Sequence, residues 1–221
     1  MSANTPITQR ETARKRTILL VQFAVLLALE ALVCFTPLGS IPIGPLVATL
    51  SHIPVIFAAV LLGTGAGAGI GFFFGLFSFL VFSFQLPGPI SFLFTPLYPV
   101  PGTDSGSALS LLICFVPRIL IGVTAGLVHT ALSKKLPQPI AISAAAVIGT
   151  LTNTLLVVGG IYLFFAADLA AVFPAMAQAN GFFAFLGAFA GWNGLLELAA
   201  ALVLAAPVCV AVKRATKKLS A

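Results

Sequence analysis

A chain of 221 residues that is 60% hydrophobic and only 7% charged, with a mean hydropathy of +1.15, is excluded from the water-soluble classes and belongs in lipid. Its net charge of +6 comes almost wholly from three basic clusters beside apolar runs, which argues for attraction to the inner face of a membrane rather than for nucleic-acid binding. Cys34, Cys114 and Cys209 are far apart, each within an apolar run, and show no metal-type spacing, so they are expected as packing residues.

In chain order, a basic tail (1–16, with Arg10, Arg14, Lys15 and Arg16) precedes the first apolar run, 17–36. No A-x-A-like cleavage site follows it and the run is long enough to span, so the first helix is expected to be retained. Pro37-Leu38-Gly39-Ser40-Ile41-Pro42-Ile43-Gly44-Pro45 cannot continue a helix. Further runs cover 46–62, 64–85, 108–132, 138–166 and 183–212, the boundary between the second and third falling near Gly63-Thr64-Gly65. A spanning helix needs about 20 apolar residues, and continuous rather than alternating hydrophobicity predicts helices, whose backbone groups are satisfied within the segment. With the N-terminal tail inside, Lys134-Lys135 and the last cluster (Lys213, Arg214, Lys217, Lys218) also fall inside. The expected fold is an all-α integral membrane protein: a compact six-transmembrane-helix bundle with both termini cytoplasmic, divided as tail 1–16, membrane domain 17–212 and tail 213–221.

Between the spans, residues 86–107 form a loop with five prolines and the aromatics Phe92, Phe94 and Tyr98, suited either to capping a site or to resting on the bundle as an ordered connector. Asp104-Ser105-Gly106 within it reads as a turn. The loop Ala166–Asn180 is expected to lie partly in the interface. Glycines 63, 67, 71 and 75 recur every fourth residue, and Gly122/Gly126 and Gly187/Gly191 repeat the spacing; these are expected as internal packing seams, with a partner-binding face as the lesser alternative. Ala24 and Ala28 form a similar pair in the first run.

Arg118, the one basic residue outside the clusters, lies inside the fourth run. An ionisable group at membrane depth is costly and marks a functional site. The other strongly polar side chains within the spans are Glu30, His52, Asn153, Asn193 and Glu197. At about 1.5 Å per residue, all six fall in the outer half or the middle of their helices, which predicts a pocket opening outward. Asn193 and Glu197 share one helix face, with Trp192 adjacent. Structural alternatives stand beside this: Arg118 ion-paired with Glu197, His52 capping a helix, Glu30 pairing with either, and Asn153 bridging two helices. No phosphate loop, nucleophile elbow or zinc motif is present, so the chain reads as a binder or carrier, without cofactor or metal and not an enzyme, that draws its energy from another protein.

Three segments then resemble one family. Ile41-Pro42-Ile43-Gly44-Pro45, with Ser51-His52-Ile53-Pro54-Val55 and the run to Leu61-Leu62-Gly63, resembles the first outer loop and second helix of the substrate-binding S components of energy-coupling factor (ECF) vitamin transporters. Val116-Pro117-Arg118-Ile119-Leu120-Ile121-Gly122 resembles that family's fourth-helix Pro-Arg motif, and Gly149-Thr150-Leu151-Thr152-Asn153-Thr154 its fifth-helix signature. The resemblance implies a multi-pass protein of the bacterial plasma membrane that captures a water-soluble vitamin from outside and docks on a T subunit with two ABC ATPases. It implies ligand sites in the outer loops and the outer halves of helices four to six, where Arg118, Asn153, Asn193 and Glu197 fall independently of it; with His52, Trp192 and Phe94 these are the expected substrate contacts, and Ala24 and Ala28 match the pattern by which the family's first helix docks on the T subunit. The segments look most like the pantothenate-specific branch. Riboflavin, folate and hydroxymethylpyrimidine stay open, as does a small self-contained oligomeric transporter or channel.

Overall fold

The structure, a computed structural model, describes residues 6–43, 46–174, 178 and 180–219. Gly44 and Pro45 of the expected helix break, residues 175–177 and 179 of the expected third outer loop, and the ends of both basic tails (1–5 and 220–221) lie outside the described residues. The elements are α1 (Pro6–Phe35), β1 (Ser40–Ile43), β2 (Leu46–Thr49), α2 (Ile53–Leu61), α3 (Thr64–Leu80), α4 (Leu109–Leu132), α5 (Gln138–Val172) and α6 (Phe182–Leu219). Five of the helices are long and apolar enough to cross a membrane; α2 is the exception. Their outward faces are lined with large apolar side chains, among them Leu163 and Phe183 at 75% and 83% exposure, as lipid contact requires.

The second expected span is where the fold departs most from the helical pattern. Residues 46–62 divide into β2, a turn at Ser51-His52, and the nine-residue α2. β2 pairs antiparallel with β1, from Ser40 opposite Thr49 to Ile43 opposite Leu46, so a short hairpin amends the all-α expectation. Pro54 lies in the first turn of α2, where its missing N–H is not needed, and starts the helix there. Gly63, at φ 102°, ends it and turns the chain into α3. At about 1.5 Å per residue, nine residues cover about 14 Å, half of the roughly 30 Å hydrocarbon layer. Every residue from Ile53 to Val60 is buried. This helix is apolar all round because other helices surround it.

Other boundaries move for local reasons. α5 continues beyond its expected end at 166 to Val172, and a break at Phe165 (φ −139°, ψ 17°) stands where the end was expected. α1 already begins at Pro6 and α6 runs on to Leu219 through Pro207, so both helices continue into the basic segments. α3 passes into a π-helical turn at Val81–Gln85 before the proline-rich loop. That loop is ordered: Phe92, Leu93 and Phe94 are buried, Ser110 Oγ donates to the Phe92 carbonyl at 2.7 Å, and Ser83 Oγ to Thr95 Oγ1 at 2.8 Å. The turn falls before the expected Asp104-Ser105-Gly106: Thr103 N–H donates to the Val100 carbonyl at 2.9 Å across Pro101-Gly102, with Gly102 at φ 81°, and Val100 N–H donates to the Ser105 carbonyl at 3.0 Å.

Two apolar clusters make the core. One surrounds α2 with Leu26, Ile70, Phe74, Ile121, Ile142 and Ala201. The other joins Phe92–Phe94 of the loop to Ile113, Val157, Ile161, Phe165 and Phe185. The glycine seams explain how closely α3 and α4 lie. A Cβ on Gly71 would strike the Arg118 carbonyl, one on Gly122 the backbone of Gly67, and one on Gly126 would come within 2.7 Å of Thr64 Cα. Gly187 and Gly191 differ from the expectation: both are exposed and a Cβ there meets nothing within 4 Å. At the end of the bundle carrying Lys134, Lys213 Nζ lies 2.9 Å from His129 Nε2 and 3.0 Å from Gln138 Oε1, tying α4, α5 and α6 together.

A leucine at Gly71 is expected to cost about 1–3 kcal/mol through overpacking, while a leucine at Gly187 stays within about 0.5 kcal/mol. Thermal unfolding in detergent checks both, and equal behaviour of the two variants would remove the seam assignment.

Candidate substrate-binding site

A cavity of about 390 Å³ lies among α1, β2, α3, α4, α5, α6 and the 86–107 loop. That size suits a small molecule, for which pockets of roughly 300–1,000 Å³ are usual. Its lining includes members of both apolar clusters, Phe74 from one and Phe94, Val157 and Val158 from the other.

Arg118 is the one cation in the lining, and it is 6% exposed. Its position follows from the residue before it. Pro117 lacks an N–H, so the Ile113 carbonyl four residues earlier has no helical donor. Arg118 Nη1 donates to that carbonyl at 2.7 Å. The side chain therefore runs back toward the N-terminal end of α4, the direction helical side chains prefer. The rings of Phe74 and Phe94 lie 5.4 Å and 5.2 Å from Cζ, within cation–π range. Phe94 also stacks on Phe82 at 4.5 Å, which fixes the loop's aromatic against α3's end. Arg118 Nε is buried with no hydrogen-bond partner.

Neither expected carboxylate pairs with this arginine among the described residues. Glu197 Oε1 accepts from the Thr49 backbone N–H at 3.2 Å and from the Thr49 hydroxyl, which latches β2 to α6. Glu30, fully buried in α1, accepts from Cys34 Sγ at 3.2 Å, and its second oxygen has no partner. A buried charge or polar atom left unpaired is costly, so such groups on a cavity wall point to a ligand.

Asn153 and Asn193 line the cavity from α5 and α6, each with an amide oxygen that is buried and unpartnered. Together with Glu197 and Phe94 they converge with Arg118, so five of the seven expected contact residues share one cavity. The other two lie elsewhere. His52 is buried at the start of α2 with both ring nitrogens unpartnered and does not line the cavity. Trp192 is 71% exposed and faces out of the bundle, because the step of about 100° between helical neighbours turns it away from Asn193. Ala24 and Ala28 are exposed along α1 beside Val25 and Leu29. Thr49, Phe74 and Ser78 of the lining were not singled out from the sequence, Ser51 was named only within the resembling segment, and Cys34, expected as a packing residue, lines the cavity as well. Of these, Phe74 had a signal: it lies between Gly71 and Gly75 on the face that meets α4. Among the described residues no group of three or more His, Cys, Asp or Glu side chains converges to hold a metal.

Comparison with known proteins places this geometry. A family model described as "ECF transporter, substrate-specific component" matches residues 19–209. The chain is 36% identical over 171 residues to the pantothenic acid transporter PanT of Lactococcus lactis subsp. cremoris, covering 77% of this chain and 80% of that one. Its fold is similar to the solved structure of ThiT from Listeria monocytogenes, with a TM-score of 0.59 at 18% identity over 90% of this chain and 97% of that one.

Removing the shared acceptor in Glu197→Ala is expected to free β2, raising amide deuterium exchange at Thr49 about tenfold while residues 53–60 stay protected. Exchange at Thr49 that matched the parent would remove the latch.

Proposed function

We propose, from the premise that this chain belongs to the family of ECF transporter substrate-specific components, that its cavity captures pantothenate and delivers it to an ATP-driven T subunit and ATPase module. The family is one of transporters, and the chain is a multi-pass protein of the bacterial plasma membrane. The observation that carries the choice of ligand is the polarity of the cavity: a guanidinium with a free buried nitrogen on the α4 wall faces a site whose α5 and α6 walls offer unpartnered amide oxygens. Pantothenate has a carboxylate at one end, two hydroxyls at the other and an amide between. Its carboxylate pairs with Arg118 in a charge-assisted hydrogen bond, and its hydroxyl and amide N–H groups donate to Asn153 and Asn193. The 36% identity to a pantothenic acid transporter supports the same choice.

In this reading the membrane domain has six helices with both basic tails in the cytoplasm, α2 and the hairpin together replacing a full second span. The cavity then opens outward, with Phe94 and Glu197 at its wall. Trp192 acts indirectly, at the lipid face beside Asn193, and His52 fills the buried turn before α2 without a side-chain cap to the helix. The exposed Ala24 and Ala28 let the T subunit approach α1 closely, as small residues do between membrane helices.

Arg118→Ala is expected to weaken pantothenate binding at least tenfold, the scale of a lost charged hydrogen bond. Equilibrium binding to the purified chain checks this, and parent-like affinity would overturn the assignment. Replacing Ala24 and Ala28 together by leucine is expected to leave binding intact and abolish uptake in cells supplying the whole transporter; undiminished uptake would remove the docking assignment.

A further inference from the structure

We infer that Pro117 is a positioning residue for the ligand, acting through Arg118. In an unbroken helix, the N–H of residue 117 would occupy the Ile113 carbonyl. Proline removes that donor, and the carbonyl holds Arg118 Nη1 at 2.7 Å instead. A guanidinium is planar, with Nη1 on the side of Cδ and the opposite edge formed by Nε and Nη2. Anchoring Nη1 therefore selects the edge left for a ligand. Nε on that edge is buried and unpartnered, and Nη2 makes no hydrogen bond among the described residues. The Phe74 and Phe94 rings near Cζ further restrict how the group can turn. A planar anion such as a carboxylate fits the Nε–Nη2 edge with two parallel hydrogen bonds. Because the group is oriented before binding, the ligand does not have to order it.

The inference rests on the pantothenate reading only for its chemical probe. Binding of pantothenate, and of the neutral alcohol in which CH2OH replaces the carboxylate, is measured on the full-length parent and on Pro117→Ala. Alanine favours the helix, so the variant is expected to fold, and it restores the N–H that competes for the Ile113 carbonyl. The expected result is a roughly tenfold loss of pantothenate affinity with little change for the alcohol, so that the preference for the carboxylate narrows. Equal losses for both ligands, or no loss, would overturn the proposal, because a general structural defect does not change the ratio. A second arm needs no vitamin: the Nε signal of Arg118 in 15N-arginine-labelled protein, assigned by its disappearance in Arg118→Lys. It is expected to shift toward the free guanidinium position in Pro117→Ala, and an unchanged signal would overturn the proposal. If the parent binds neither compound, the pantothenate reading falls while this signal still decides the role of Pro117.

Discussion

The close approach of α3 to α4 is the constraint on which the rest of the molecule depends. Gly71 and Gly75 remove the side chains that would hold the two backbones apart, and Gly122 and Gly126 answer from α4, Gly122 against the backbone of Gly67. In lipid there is little hydrophobic drive between helices, so this contact relies on packing of backbone against backbone. It includes the Arg118 carbonyl, which lies where a side chain on Gly71 would have to go. The residue carrying the cavity's positive charge is thus held by the tightest seam in the bundle, and Phe74, one turn along the same helix, reaches its guanidinium.

Polarity within the cavity is divided by element. α4 contributes donors through Arg118, whereas α5 and α6 contribute acceptors through Asn153, Asn193 and Glu197. Glu197 has a second task, because its carboxylate holds Thr49 and with it the hairpin. Glu197 is therefore both cavity wall and hairpin anchor. The loop from 86 to 107 joins it through Phe94, so residues distant in the chain enclose the same space.

Much of this was legible in the sequence because lipid penalises charge. Arg118, Asn153, Asn193 and Glu197 stood out for being polar in apolar runs, and the structure brings them together. What periodicity does not encode is whether an apolar run faces lipid or protein, and for that reason α2 was expected to span when it is a short, enclosed helix. The same ambiguity affected Gly187 and Gly191, whose spacing matches the seam of α3 but whose face is open. Trp192 and His52 failed to reach the cavity for a geometric reason: adjacency in the chain says nothing about helix face, and a buried residue at a helix start need not border a void. The Glu197–Thr49 contact spans 148 residues and leaves no local signature.

The enclosure of α2 has a mechanical consequence. Membranes of different thickness press on a protein by hydrophobic mismatch, which tilts or strains the helices that touch lipid. Here that load falls on the five long helices, while Ile53 to Val60 are shielded from the bilayer on every side. The middle of the bundle is therefore set by contacts within the protein, and a change in bilayer thickness reaches it only through the helices around it.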